Sequence, residues 1–172
     1  MRRTFSNNRR AQSEQRGSVI VELALMLPVM TIFILGAIDM GLIVREHQIL
    51  QNAAREGARF SAQPANKIAA SNPTATPNSI RDKVITYLSQ ERITIAAVNC
   101  TEDSPGSNSW TCGAIKINQQ SPIVTVVSGT TFTDFGSAVT VTYNRSFLLP
   151  GGSVLKFNSV DLTGRSVFRN LY

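Results

Sequence analysis

RGSVIVELALMLPVMTIFILG, residues 16–36, decides the fold prediction for this chain. It belongs to a run of 27 residues, 18–44, in which Glu22 and Asp39 are the only ionisable side chains. A helix rises ~1.5 Å per residue, so about 20 apolar residues cross a hydrocarbon layer of ~30 Å. The run therefore predicts a transmembrane helix, in which the carboxylate of Glu22 near the start needs an explanation.

The positive charge of the chain is concentrated before this helix. Of the formal net charge of +6, residues 1–17 carry +4, from Glu14 and five arginines: Arg2, Arg3, Arg9, Arg10 and Arg16. By the positive-inside rule, this asymmetry places the N-terminus in the cytoplasm and the rest of the chain outside. Because Phe5 is the only aromatic residue in the basic arm, the stacking pattern of a nucleic-acid binder is absent, and we expect no nucleic-acid partner.

Three interpretations of the N-terminal region treat Glu22 differently. A cleaved secretory signal needs small residues after its apolar core, and Leu35-Gly36-Ala37 is a weak match. A plain signal anchor explains length and orientation but leaves a carboxylate in hydrocarbon at a cost of ~2.5 kcal/mol or more. Cleavage between Gly17 and Ser18 instead makes Glu22 the fifth residue, ~6 Å along the helix from a protonated α-amine. These charges attract strongly in a low dielectric, within one chain or between staggered neighbours in a filament.

The residues around this bond resemble a type IV prepilin. Arg16-Gly17-Ser18-Val19-Ile20-Val21-Glu22 is a basic leader that ends in glycine, followed by a glutamate at the fifth mature position. Further along, Leu50-Gln51-Asn52-Ala53-Ala54-Arg55-Glu56-Gly57-Ala58-Arg59 resembles the sequence after the membrane helix in TadE-like minor pilins, or pseudopilins, of the tight-adherence (Flp) pilus system. Val139–Tyr143 and Leu162–Ser166 resemble the closing strands of that family, whereas the middle of the chain does not.

The resemblance implies a minor pilin that helps to initiate or support assembly of a tight-adherence pilus. A prepilin peptidase is expected to cut at Gly17/Ser18, and Glu22 is expected to form the assembly salt bridge. The implied partners are the inner membrane, the peptidase, other pilin and minor pilin subunits, and the assembly platform. The implied location is the bacterial inner membrane, single-pass, with a periplasmic C-terminal domain, or the pilus itself. The alternative is an uncleaved, signal-anchored periplasmic or surface domain that binds a ligand.

Pro28 lies inside the membrane run and predicts a transmembrane kink, because it removes one backbone donor. The kink is either a flexible point that lets the helix repack in a filament or an incidental feature. Beyond the membrane the helix is expected to continue through residues 45–62. A stripe of apolar and small residues predicts the core face of this helix. The stripe consists of Ile49, Ala53, Gly57 and Phe60, and a row of polar residues lies beside it.

The remaining chain predicts an α+β domain, residues 79–172, after a linker over 63–78. A short helix capped by Asn78 or Ser79 and ending near Gln90 precedes segments rich in β-branched residues. These segments predict an antiparallel meander of four to five strands. They are Ile93–Val98, Ala114–Ile117, Ile123–Val127, Ala138–Phe147 and about Leu155–Phe168.

Cys100 and Cys112, the only cysteines, both lie in the exported part, so we expect a disulfide in an oxidising compartment. Trp110, inside the loop it would close, is either an exposed contact point or packed over the disulfide. The only histidine, His47, has no acidic or cysteine partners at ligand spacing, and no catalytic constellation emerges. We therefore expect no enzyme activity, cofactor or metal.

Overall fold

The computed structural model describes residues 8–69, 75–127, 130–147 and 159–171. Within these ranges a long helix, a 3-10 turn and a second helix precede a five-stranded antiparallel sheet whose strands lie side by side in chain order. The elements are α1 (Asn8–Ser61), the turn (Pro64–Asn66), α2 (Pro77–Gln90), β1 (Thr101–Glu102), β2 (Ser109–Cys112), β3 (Ile115–Val127), β4 (Thr130–Ser146) and β5 (Ser159–Arg169). The predicted α+β class with a long N-terminal helix, a short second helix and a five-stranded meander is confirmed.

The outer part of α1 lies on one face of the sheet and forms the core with α2. Its predicted stripe is buried or partly buried, and Leu50, Ala54 and Ala58 widen this buried face. Across the interface, buried side chains of α2 and of the central strands complete the core: Ile80, Val84, Leu88, Ile115, Ile117, Val139 and Val141. The core therefore includes one face of the last quarter of α1, from Ile49 onward.

Gly164 in β5 allows α1 to approach the sheet closely. A β-carbon at this position would lie 2.8 Å from the amide nitrogen of Gln51 and closer still to the carbonyl group of Leu50. Because these are backbone atoms within a helix, a side chain there would have to displace α1 as a whole. The small residues of α1 and Gly164 together bring helix and sheet into near-backbone contact.

The second helix begins two to three residues earlier than the cap prediction placed it. Thr76 is the N-cap, and its hydroxyl accepts a hydrogen bond from the Ser79 amide at 3.3 Å. Pro77 occupies the first helical position, where its missing donor costs nothing. The predicted cap residue Asn78 instead accepts from the Cys100 amide at 3.1 Å and from Arg81 at 2.9 Å. The cap assignment to Asn78 or Ser79 was therefore wrong.

The predicted strand Ile93–Val98 is also wrong, because this segment has no strand partner. Its alternation reflects contact with α2 instead: Ile93 is buried, and the Val98 carbonyl accepts from Arg81 at 2.8 Å. The short β1–β2 hairpin, which the prediction treated as a loop, provides the edge of the sheet. The predicted strands at 114–117 and 123–127 join into the single strand β3, with an irregular register between Asn118 and Ser121.

Candidate functional site

From Ser18 to Ile38, α1 is an apolar rod whose side chains are mostly exposed. Most large apolar side chains between Val19 and Met40 are exposed, from 49% at Ile38 to 71% at Leu25 and Phe33, whereas Leu35 is partly buried. Among the described residues, α1 is the one helix that is long and apolar enough to cross a membrane, judged by length and composition. An apolar surface of this size needs a membrane or other helices to cover it.

Glu22 lies on this apolar rod. Its exposed side chain lies beside Val19, Leu23 and Met26, and no side chain that the structure describes forms an ion pair with it. The Gly17–Ser18 bond lies four residues before it, within α1. One helical turn thus separates an uncompensated carboxylate from the position where cleavage would create an amine.

Pro28 lies inside α1, six residues after Glu22. Its lack of an N–H group removes the helical donor for the Ala24 carbonyl. Nearby, the Thr31 hydroxyl donates to the Leu27 carbonyl at 2.8 Å, a side-chain bond that tends to bend helices. The local hydrogen bonding is therefore weaker than in a regular helix, although the kink itself remains a prediction.

A charged cluster joins α1 to the sheet at the outer end of the apolar rod. Arg145 of β4 forms ion pairs with Asp39, at 3.7 Å between Nη2 and Oδ1, and with Glu46. All three side chains are largely buried, with exposed fractions of 11% for Arg145, 4% for Asp39 and 18% for Glu46. The sequence alone indicates no partner for Asp39, and the structure supplies Arg145 as one. The seven-residue spacing of the two acids, which places them on one helix face, was the available signal.

The cluster marks where the domain begins to contact α1. Before Asp39, residues 18–38 form a mostly exposed apolar helix of 21 residues, or ~32 Å at 1.5 Å per residue. This length matches the ~30 Å hydrocarbon layer of a bilayer. The geometry therefore separates α1 into an apolar part that is mostly exposed and an outer part that is packed into the domain.

A match to a known protein family falls on this same helix. Residues 17–59 match the model of the TadE-like protein family. The resemblance to the TadE-like family is confirmed for residues 17–59, called the TadE-like segment, which comprises 43 of the 172 residues. It begins at Gly17 and covers Glu22, the exposed apolar helix, both acids of the charged cluster and most of the helical core face. Comparisons with curated proteins and with solved structures found no match.

Outside the TadE-like segment, a disulfide closes the β1–β2 hairpin. Cys100 and Cys112 are bonded to each other, as predicted. Trp110 is only 7% exposed and belongs to the core cluster that contains Cys112, so the interpretation as an exposed contact point is wrong. In the same hairpin, hydrogen bonds from Thr111 and then Ser109 hold the pKa of Asp103 below its usual value of 3.8.

Proposed function

We propose that this chain is a minor pilin, or pseudopilin, of a tight-adherence pilus and that it is cut at the Gly17–Ser18 bond before assembly. The observation that carries the proposal is the position of Glu22: an exposed carboxylate without an ion-pair partner among the described side chains, on the apolar helix of the TadE-like segment. Cleavage would create its partner, because the new α-amine of Ser18 is mostly protonated near neutral pH.

The charge pair supports filament assembly through its geometry. Positions one and five of the mature chain lie on the same helix face, ~6 Å apart along the axis. When such helices bundle with an axial stagger, the amine of one subunit reaches the carboxylate of the next. In an apolar bundle each charge is costly alone, so the pairing favours one register over all others. Glu22 thus acts as a register determinant rather than as a catalytic group.

The division of α1 suits a subunit that moves from a membrane into a filament. Among the described residues, most side chains of 18–38 are exposed, whereas the outer part of α1 carries the core, the charged cluster and the close contact at Gly164. The apolar part can therefore exchange lipid for neighbouring helices without unfolding the domain. Pro28 provides a point at which the apolar part can bend.

The proposal is tested by Glu22→Gln, which keeps the shape of the side chain and removes its charge. We expect the variant to insert in the membrane and to be cut normally, and to lower pilus assembly at least tenfold, measured as sheared surface pilin by immunoblot. Glu14→Gln is the matched control, because it removes an acidic side chain from the part that cleavage discards. Normal assembly in the Glu22→Gln strain would overturn the pairing mechanism.

The alternative function is an uncleaved anchored domain that binds a ligand outside the cell. In that case Gly17→Leu, which blocks the proposed cut, would leave the protein fully functional, since the arginine-rich leader would be retained anyway. The pilus proposal expects this variant to accumulate as the full-length precursor and to fail in assembly. Pilus formation alongside uncut precursor would favour the anchored domain.

A further inference from the structure

A small pocket opens between α1 and the C-terminal end of α2. It has a volume of about 130 Å³. Its lining residues come from α1 and from the turn that follows α2: Leu42, Arg45, Glu46, Ile49, Glu91, Arg92 and Ile93. Apolar and charged groups of both signs therefore line one small opening.

The height of this pocket places it beside a membrane surface. If residues 18–38 span the hydrocarbon layer, Leu42 lies ~4–5 Å and Arg45 ~9 Å beyond Asp39 along the helix axis. The polar headgroup region occupies roughly 5–8 Å on each side of the hydrocarbon core. The lower wall of the pocket, at Leu42, thus meets the lipid headgroups, and Arg45 lies at about their outer edge.

The charges in the pocket are suited to a phospholipid. Arg45 and Arg92 are exposed, and neither forms an ion pair with another described side chain. Guanidinium groups bind phosphate through paired hydrogen bonds. Glu91 is also exposed and adds a negative charge, whereas Glu46 is already paired with Arg145. The pocket side chains without a described ion pair are therefore two cations and one anion. These charges are complementary to a headgroup that has a phosphate and an ammonium.

Arg92 occupies a backbone conformation that favours glycine. Its φ is 64°, and it follows α2 in the position where helices commonly end with a left-handed residue. The Arg92 amide donates to Ser89 and the Ile93 amide to Leu88, which completes this helix end. Glycine would fit here without the strain that a side chain adds. Arginine thus occupies a position whose backbone conformation favours glycine. The charge and height of the pocket indicate which ligand it binds.

We propose that this pocket binds the headgroup of a membrane phospholipid, with the phosphate on Arg45 and Arg92 and a primary ammonium beside Glu91. The bound lipid would hold the domain upright on the outer leaflet before the subunit enters a filament. This proposal rests on the membrane-spanning part of the proposed function and does not depend on cleavage at Gly17.

Native mass spectrometry of the full-length chain, released from detergent micelles, tests the proposal. The probes are phosphatidylethanolamine and a monogalactosyl diacylglycerol with the same acyl chains but no phosphate or ammonium. We expect one phosphatidylethanolamine to be retained and the galactolipid not to be. Arg45→Gln and Arg92→Gly should each weaken retention about fivefold, the value of one basic side chain near a membrane surface. Lys116→Gln, on the opposite face of the sheet, should leave it unchanged.

Arg92→Gly separates binding from folding, because it relieves the left-handed conformation. The variant should unfold at an equal or higher temperature than the parent chain while it loses lipid. Equal retention of both lipids, or unchanged retention in both arginine variants, would overturn the lipid proposal. A failure of the membrane assignment has a different signature, since the chain would then stay soluble without detergent. A failure of cleavage would leave the lipid result unchanged.

Discussion

Replacement of Arg145 by methionine is expected to be the most destabilising single change at the junction between α1 and the sheet. The substitution keeps an unbranched side chain of similar reach and removes the cation of the described ion pairs with Asp39 and Glu46. Two largely buried carboxylates on one helix face would then lose this shared counter-charge. The membrane-facing part of α1 would be unaffected, so the change tests the junction alone.

The expected magnitude follows from the burial of the three groups. Removal of one member of a buried ion pair costs ~3–5 kcal/mol, because the other charge stays buried alone. Glu46 keeps 18% exposure and can recover some hydration, so we expect about 3 kcal/mol for Arg145→Met. Asp39→Asn leaves the Arg145–Glu46 pair intact, and we expect about 1 kcal/mol or less. The double variant should cost less than the sum of the two single changes.

Fluorescence of Trp110, the only tryptophan, reports this unfolding directly because the residue is buried in the core. Urea titrations of the full-length chain in detergent micelles would give the free energy of unfolding for each variant. Equal losses for Asp39→Asn and Arg145→Met, or a loss below about 1 kcal/mol for Arg145→Met, would refute the argument that Arg145 neutralises two buried acids.

Three further predictions concern the domain. Reduction of the Cys100–Cys112 disulfide should lower the free energy of unfolding by about 3 kcal/mol, measured with the same fluorescence signal, since it opens a short loop. Gly164→Ala should cost roughly 2 kcal/mol or more in that assay because its β-carbon meets the α1 backbone, and an unchanged midpoint would contradict the close approach. In an NMR titration, the Asp103 carboxyl should have its midpoint below 3.8, and Thr111→Val should raise it. Because the folded pKa is lowered, the stabilising effect is present above the unfolded value and is lost as the pH falls through the folded one.

Features with local signals were predictable from the sequence. The apolar run predicts α1 because length and hydropathy are properties of contiguous residues, and the small-residue stripe predicts its core face for the same reason. The two cysteines predict their bond because no other cysteine competes. The cap prediction for α2 missed Thr76, because Thr76, Asn78 and Ser79 lie close together in the sequence and each residue type is a good N-cap.

Features that depend on distant residues were not predictable. Asp39 looks like an interfacial acid until β4 places Arg145 beside it, and more than a hundred residues separate the two. The segment Ile93–Val98 has the composition of a strand, but Arg81 binds it to α2 and β1 forms the sheet edge instead. In both cases the partner, and not the segment itself, determines the structure.

The mature N-terminus is the most direct test of the central claim, that cleavage gives Glu22 its partner. Intact mass and N-terminal sequencing of the protein extracted from native membranes would determine it. The account predicts a chain that begins at Ser18, with Glu22 as its fifth residue. A chain that still carries Arg2, Arg3 and the rest of the basic leader would contradict it.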